Sequence, residues 1–349
     1  MNIIKNLKKN TFFLLFITLI ILYIILKDDF SHIINAFKNI NILYIIIAML
    51  VFFIHISLKG YANYLITNEP KKVSIQEAIK HNLITQFFNG ITPFSTGGQP
   101  MEIYMLTEHG ISIPKATNQT IQSFIFYQIA LVICGLFAVI YNFIFSIFPK
   151  IKILSNLVIL GFSINISVVI VLILISHSKT IMDKICKIII RINKKIKLKL
   201  SEEEIKGKFL EYYEGVKELK KRRLLFIAGI VLNIISLLCL YSIPLFVLKS
   251  MNPTNHMSII ETITSSAYVY VIGSFVPIPG ASGGIEYGFT QFYGNFISKK
   301  ELSAVLLIWR FITYYFGIII GALLFNFDKK VKNWELVYLQ KHMNHILVV

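Results

Sequence analysis

Long apolar runs separated by polar segments recur along the chain, and their lengths predict membrane-spanning helices. A helix needs about 20 consecutive apolar residues to cross the hydrocarbon core of a bilayer. Runs that approach or exceed this length predict six full spans, at 11–26, 42–58, 118–148, 153–176, 224–248 and 302–325. We therefore predict an all-α polytopic integral membrane protein.

Two further apolar regions are interrupted by proline and glycine, and neither arm of either region is long enough to span a bilayer. The breaks lie within residues 81–109, around Pro93, and within residues 259–296, around Pro277. Proline ends a helix because it removes a hydrogen-bond donor, and glycine permits the chain to reverse. We predict that each region is a re-entrant helical hairpin, which enters and leaves the membrane on one side.

The two broken regions resemble each other when the sequence is shifted by 184 positions. In both, a proline precedes a glutamate by nine positions, from Pro93 to Glu102 and from Pro277 to Glu286. This shared spacing favours a true repeat over chance identity in an isoleucine-rich chain. Within a membrane domain at 1–330 we predict repeat halves at about 75–176 and 224–326, a basic loop at 178–223, and then a tail at 331–349.

Composition and charge support this reading and add an orientation. The chain is 55% hydrophobic and its mean hydropathy is +0.68, which is typical of a membrane protein. We predict a protein of the cell membrane with both termini in the cytoplasm. In this orientation most of the lysine and arginine lies in the cytoplasmic segments of the chain, as the positive-inside rule requires. That topology puts the first hairpin on the cytoplasmic side and the second on the outer side, so the repeat is inverted.

The loop at 178–223 carries 15 basic and 7 acidic residues. Two interpretations remain open for it. It is either a solvated helical hairpin that follows the topology rule or a cytoplasmic surface for anionic lipid headgroups.

Inverted repeats with broken helices form binding sites near the membrane midplane. The arm that follows each glycine pair presents amide groups and a positive dipole end, which suit a phosphate. Hydroxyls of Thr96 and Ser282 can add donors there. The residues predicted to line a polar cavity or to bind a lipid headgroup are Asn89, Pro93, Thr96, Gly97, Gly98, Glu102, Pro277, Gly280, Ser282, Gly283, Gly284, Glu286 and Arg310.

The charged members of this set have two interpretations each. Glu102 and Glu286 are predicted in the first turn after each break, where a carboxylate either compensates the helix dipole or serves as a cavity acid. Arg310, inside the last span, either pairs with Glu286 or holds a lipid phosphate. We predict no catalytic residue, metal site or cofactor, and no ATP-driven pump, because the sequence has no metal-ligand spacing and no P-loop.

The segments Phe87–Pro100, Pro277–Glu286 and Trp309–Tyr315 resemble the lysylphosphatidylglycerol synthase transmembrane family. This flippase-like family includes the flippase half of the multiple peptide resistance factor, and the resemblance covers about residues 5–330. It implies a membrane domain that moves lipids such as lysylphosphatidylglycerol between leaflets. Arg310 matches the family's basic position after the second motif, whereas Glu102–Met105 lacks the arginine that many members carry after the first.

The resemblance implies a lipid flippase or transporter rather than an enzyme. The soluble aminoacyltransferase domain of the two-domain relatives does not fit in the residues after the last span. The alternatives are a phosphatidylglycerol lysyltransferase, or a subunit of one, with a role in resistance to cationic antimicrobial peptides, and a secondary transporter of a small anion. Membrane phospholipids are the expected partners, nucleic acid is not, and a separate aminoacyl-lipid synthase and a homo-oligomer remain open.

Overall fold

The computed structural model describes residues 40–67, 72–149, 152–196 and 201–327, and this part of the chain consists of helices and turns. A π-helical turn lies at Phe311–Tyr315, and 3-10 turns lie at Pro93–Ser95 and Pro279–Ala281. The α-helices, numbered in chain order, are α1 (Ile42–Ile66), α2 (Ile75–Gly90), α3 (Gly98–Glu108), α4 (Ile113–Phe145), α5 (Lys152–His177), α6 (Lys179–Ile196), α7 (Glu202–Lys221), α8 (Arg223–Met251), α9 (Ile259–Gly273), α10 (Gly284–Tyr293), α11 (Lys299–Arg310) and α12 (Phe316–Phe327).

Five stretches within the described residues are long and apolar enough to cross a membrane: Ile42–Ile66, Ile113–Phe145, Leu154–Val171, Arg223–Met251 and Glu301–Phe327. They coincide with five of the six predicted spans, so the prediction of an all-α polytopic membrane protein is confirmed. The predicted span at 11–26 and the predicted tail at 331–349 lie outside the described residues.

The helix α1 is longer than the span predicted at 42–58, because Lys59 does not end it. The Lys59 side chain is half-buried in the helical bundle, and one turn later Asn63 is buried as well. The helix ends only at Ile66, where the backbone amide of Thr67 bonds to the carbonyl of Tyr64. The prediction that this span ends at residue 58 was therefore wrong.

Each broken region is a pair of helices joined by a short break, with α2 and α3 in the first hairpin and α9 and α10 in the second. Both hairpins begin with a capping box, in which a serine side chain and a glutamate side chain bond to each other's backbone amides. The pairs are Ser74 with Glu77 and Ser258 with Glu261, which are 184 positions apart. A capping box satisfies two of the free amides at a helix start, so both hairpins begin in the same way.

Both ends of the first hairpin lie at one end of the bundle, which we call the first end. The Nε2 atom of His109, just after α3, lies 3.0 Å from Oε1 of Glu77, near the start of α2. Tyr64, in the last turn of α1, packs against buried residues of the same hairpin. The last residue of α1 in turn packs against the first turn of α8, so α8 begins at the first end.

The second hairpin has both its ends at the opposite end of the bundle, where α8 ends. The side-chain amide of Asn255, in the loop after α8, donates to the carbonyl of Phe296, just after α10, at 3.1 Å. The hydroxyl of Tyr293 donates to the carbonyl of Thr262, near the start of α9, at 3.0 Å. The two hairpins therefore enter the bundle from opposite ends, which is the arrangement of an inverted repeat.

The breaks of the two hairpins meet halfway along the bundle. Tyr314 is the central residue of the 27-residue span Glu301–Phe327. Its hydroxyl donates to the carbonyl of Gly90, at the end of α2, at 2.8 Å, and its ring lies against Gly280 in the second break. The two 3-10 turns also lie against each other. One tyrosine thus contacts both halves of the repeat at mid-depth.

The basic segment at 178–223 contains the helices α6 and α7, which lie at the first end. The side-chain amide of Gln122, in α4, donates to the carbonyl of Gly215, in α7, at 3.2 Å. Buried apolar side chains join α6 to α7. On its outer surface α6 exposes three isoleucines beside lysine and arginine: Ile188, Ile189 and Ile192. A basic amphipathic helix of this kind is typical of a membrane surface.

Glu77→Gln should lower the thermal stability of the protein in detergent, because loss of the charge weakens the hydrogen bond from the backbone amide of Ser74 and the contact with His109. These interactions, chiefly the backbone hydrogen bond from Ser74, lower the pKa of Glu77 from 4.5 to about 2. The folded state thus favours the carboxylate, so the stabilisation is complete above pH 4.5 and is lost as the pH falls toward 2. Unfolding temperatures of parent and variant should therefore differ above pH 4.5 and converge toward pH 2.

Glu261→Gln is the matched control. Glu261 accepts a hydrogen bond from the backbone amide of Ser258 at 2.7 Å but has no histidine partner among the described residues. In the control only the hydrogen bond of the cap is weakened, so it should be destabilised less than Glu77→Gln. Equal losses in both variants would contradict the role of His109, and a loss independent of pH would contradict the lowered pKa of Glu77.

Candidate functional site

A buried ion pair dominates the second break. Oε1 of Glu286 accepts a hydrogen bond from Nε of Arg310 at 2.7 Å and lies 2.7 Å from Nη2, and Oε2 accepts from the backbone amide of Gly283 at 2.6 Å. Nη2 of Arg310 also donates to the carbonyl of Gly280 at 2.9 Å. Only 1% of Glu286 and 3% of Arg310 is exposed. A buried pair needs such additional hydrogen bonds, because its attraction alone does not offset the desolvation of two charges.

Arg310 keeps donors that the protein does not use. Its Nη1 atom makes no hydrogen bond with the described residues, and its guanidinium carbon lies 4.7 Å from the centroid of the Tyr314 ring. The π-helical turn Phe311–Tyr315 begins directly after it. Turns of this kind occur frequently at functional sites. The arginine is therefore oriented by Glu286, Gly280 and Tyr314.

The two breaks adopt the same turn, in a register different from the predicted one. Pro93 and Pro279 each begin a 3-10 turn whose next two residues have positive φ. The Thr96 hydroxyl donates to the carbonyl of Pro93 at 3.0 Å, and the Ser282 hydroxyl donates to that of Pro279 at 3.1 Å. The structural partner of Pro93 is thus Pro279, 186 positions away, and not Pro277. With this offset the two glycine pairs come into step.

The two acids are therefore not equivalent, although the distance from proline to glutamate is the same in the sequence. Glu286 is the third residue of α10 and caps that helix. Glu102 is the fifth residue of α3, and the first turn of α3 contains no acid. The prediction that Glu102 lies in the first turn was wrong, because the break that precedes α3 ends two positions earlier in the register of the repeat.

Side chains within the first break take up the amides that were predicted to bind an anion. The amide of Gly97 donates to the hydroxyl of Thr92, and the amide of Gly98 donates to Oδ1 of Asn89, both at 2.8 Å. In the second break Glu286 accepts from the amide of Gly283. Irregular backbone inside a membrane protein must be satisfied in some such way. Asn89 and Thr92 therefore hold the turn closed.

Glu102 lies in a separate polar cluster between α1, α3 and α4. Its Oε1 accepts a hydrogen bond from the side-chain amide of Asn63 at 3.1 Å. The Ser123 hydroxyl donates to Oδ1 of Asn63 at 2.5 Å, and Gln119 donates to the Asn63 carbonyl at 3.4 Å. The ammonium of Lys59 interacts electrostatically with Glu102 but lies 5.0 Å from the centroid of the Tyr127 ring.

Sequence reasoning missed Lys59 and Asn63 as members of the site. A signal was available, because residues four positions apart lie on one face of a helix. Lys59 and Asn63 continue the helical run of α1 in this way, and Ile66 is still apolar and buried. The positions of Ser123 and Tyr127, by contrast, follow from the packing of α4 against α1.

The tip of the first hairpin is open where it meets the second. Polar side chains at this tip are exposed although the tip lies at the mid-depth of the last span: Ser95, Thr96 and Gln99. In the second break Pro277 is exposed, while Ser282 is buried. The predicted residues of the two breaks thus come together around Tyr314, and Glu102 stands apart from them.

A family model described as the lysylphosphatidylglycerol synthase TM region matches residues 12–321 of the chain. The chain belongs to this family. A UPF0104 membrane protein of Archaeoglobus fulgidus is 26% identical to it, over 79% of this chain and 83% of that protein. An uncharacterized protein of Mycoplasma genitalium is 21% identical, over 92% of this chain and 88% of that protein. The resemblance seen in the glycine-rich segments is confirmed, and the protein is a multi-pass membrane protein of this family.

Gly280→Ala should destabilise the protein. Gly280 has φ 63°, and a Cβ atom at this position would collide with the ring of Tyr314. The left-handed backbone alone costs a residue with a side chain about 1–2 kcal/mol, and displacement of Tyr314 adds to this. We expect a lower unfolding temperature in detergent. The control Gly207→Ala, in α7, meets open space and should be neutral or stabilising. Equal effects would contradict the close contact between Gly280 and Tyr314.

Proposed function

We propose that the protein moves phospholipid headgroups, including those of aminoacylated anionic lipids such as lysylphosphatidylglycerol, between the two leaflets. The observation that carries the proposal is the meeting of two opposed hairpin tips at mid-depth, beside an arginine with unused donors. Opposed broken helices that meet in this way form the substrate sites of many transporters.

Exposed polar groups at mid-depth support a groove for the headgroup. Irregular backbone and polar side chains at this depth persist only in protein or beside a wet cavity. Ser95, Thr96 and Gln99 are exposed at the first tip. A polar groove that is open toward lipid would let a headgroup cross while its acyl tails stay in the hydrocarbon, which avoids the cost of burying a charged headgroup there.

Arg310 is the group that we assign to the lipid phosphate. The guanidinium of arginine stays charged when it is buried and is more weakly hydrated than an ammonium, which suits it to a buried phosphate. Glu286 and the Gly280 carbonyl fix the plane of the guanidinium through Nε and Nη2, which leaves Nη1 for a phosphate oxygen. When Glu286 replaces the phosphate as the partner of Arg310, the lipid would be released on the other side.

The family's description names a synthase, which supports an alternative proposal. In that alternative the protein makes lysylphosphatidylglycerol, alone or with a separate synthase. Transfer of lysine from charged tRNA to phosphatidylglycerol by the purified chain would establish it. Exchange of a small anion across vesicles in which no lipid moves would instead favour a secondary transporter.

Leaflet-resolved measurement of a fluorescent phosphatidylglycerol in proteoliposomes tests the lipid proposal. In protein-free vesicles a membrane-impermeant quencher reaches only the outer leaflet, and the protein should make the inner pool accessible. Arg310→Lys keeps the charge but loses the fork, so we expect movement to slow by about tenfold or more, since hydrogen bonds to charged groups contribute about 1.5–3 kcal/mol. The exposed Arg223, at the start of α8, supplies the control Arg223→Lys.

The two variants separate a site from a general charge effect. Normal folding of Arg310→Lys is checked by size-exclusion chromatography and by its unfolding temperature. Parent protein that leaves the inner lipid pool unquenched would refute the function. Equal rates in Arg310→Lys and Arg223→Lys would refute the assignment of the phosphate to Arg310.

We also propose that the first end of the bundle, with the basic helices α6 and α7, faces the cytoplasm, because basic residues favour that side. Single cysteines in a cysteine-free background test this orientation. Lys187, on α6, and Thr254, in the loop after α8, are exposed at opposite ends. An impermeant maleimide added to intact cells should label Thr254→Cys, and it should label Lys187→Cys only after lysis. The reverse pattern would invert the topology.

A further inference from the structure

We propose that Glu102 is a proton-exchange site of the membrane domain and that Lys59 is its counter-charge. The inference deepens the proposed function, on which its role in transport rests, because it assigns energy coupling to one of the two acids. The exchange of the proton itself follows from the surroundings of Glu102 and does not depend on the substrate.

Glu102 has fewer partners than a buried carboxylate needs. It is 8% exposed, and Asn63 is its one hydrogen-bond donor among the described residues. A carboxylate has room for about four donors, and an unpaired buried charge is neutralised rather than kept. Asn63 is itself held by Ser123 and Gln119, so its amide is fixed toward Glu102. A proton on the free oxygen removes the charge without any change in these contacts.

Lys59 lies near Glu102 without making a close ion pair with it. Among the described residues, the ammonium has no carboxylate partner within ion-pair distance, and the Tyr127 ring is its neighbour at 5.0 Å. Lys59 is the charged group that acts on Glu102, and it also acts on His55, one turn earlier in α1. A lysine side chain has four carbons and can turn from the ring to the carboxylate. When the ammonium of Lys59 lies on the Tyr127 ring, the protonated form of Glu102 is favoured. When the ammonium lies beside Glu102, the carboxylate is favoured.

The proton has a route to water at the first end of the bundle. A small cleft opens there between α1 and α4, and Gln119 is among its lining residues. Gln119 donates to the backbone carbonyl of Asn63, and the side-chain amide of Asn63 donates to Glu102. Two polar residues thus lie between Glu102 and the cleft. On release, the O–H bond of the carboxylic acid breaks, the electron pair stays on the carboxylate, and the proton passes to water in the cleft.

Glu286 provides the contrast that makes the assignment specific. Its carboxylate accepts one hydrogen bond from Arg310 and one from Gly283, and it forms an ion pair with the same arginine through Nη2. Arginine stays charged at any pH that a protein tolerates. A proton on Glu286 would therefore leave the buried guanidinium without its counter-charge. Of the two acids at the breaks, Glu102 is the one that can change its charge while the fold stays the same.

Infrared difference spectroscopy of the purified protein in detergent tests the proton site directly. The carbonyl stretch of a buried protonated acid should be present at a pH at which exposed carboxyl groups are already ionised, should shift in heavy water, and should disappear as the pH rises further. At that pH Glu102→Gln should lack this band, and Glu286→Gln should retain it. A band that is absent at every pH, or one that persists without titrating, would overturn the proposal.

Lys59→Met provides a second test, which remains informative if Glu102→Gln does not fold. It preserves the length of the side chain and removes the charge that favours the carboxylate. The midpoint of the infrared titration should therefore move to higher pH. Lys184→Met, which removes an exposed lysine of α6, is the control and should leave the midpoint unchanged. An unchanged midpoint in Lys59→Met would overturn the role of Lys59.

Lipid movement under an imposed pH gradient separates the coupling from the function. In parent proteoliposomes the gradient should change the rate of movement by at least about fivefold, the lower range of common coupling factors, and Glu102→Gln should not respond. A titrating band without lipid movement would refute the proposed function and leave the proton site standing. Lipid movement that ignores the gradient in the parent protein would refute the coupling alone.

Discussion

Backbone amides and carbonyls have no water to bond with inside a bilayer, and the whole arrangement of this protein depends on how its two breaks meet that constraint. Each break closes on itself. The side chains of Asn89 and Thr92 accept from the amides of the first break, and Glu286 accepts from an amide of the second. The hydroxyl of Tyr314 donates a hydrogen bond to the carbonyl of Gly90. The chain can thus turn back at mid-depth without leaving its polar groups bare.

The two halves of the repeat use a common turn for different purposes. In the second half the helix after the break begins with a glutamate at its third position, so Glu286 serves its own helix and Arg310 together. In the first half the register is displaced by two residues, and Glu102 points instead to a neighbouring helix. The displacement of two residues thus separates an acid that is bonded to both an arginine and a backbone amide from an acid that accepts one hydrogen bond. The repeat brings the two breaks together, and the difference in register between its halves distinguishes the two acids.

The spans, the hairpins and the pairing of Arg310 with Glu286 could be predicted from the sequence, because apolar length, proline, glycine and buried charge act locally or in obvious pairs. The register of the second break could not. Pro277 and Pro279 both fit a helix end, and only the backbone conformation after them selects one. Lys59 was also misplaced, since a lysine after an apolar run usually marks the end of a span. Its buried environment depends on helices that are distant in sequence.

The π-helical turn after Arg310 has a mechanical consequence. Such a turn accommodates one residue more than an α-helical turn does. Conversion of Phe311–Tyr315 to regular α geometry would rotate α11 by about 100° relative to α12. The guanidinium would then leave Gly280 and Glu286 while the span remained an unbroken helix. The π-helical turn therefore gives the last span a position at which a change of helical geometry would rotate the buried cation about the helix axis without unfolding the helix.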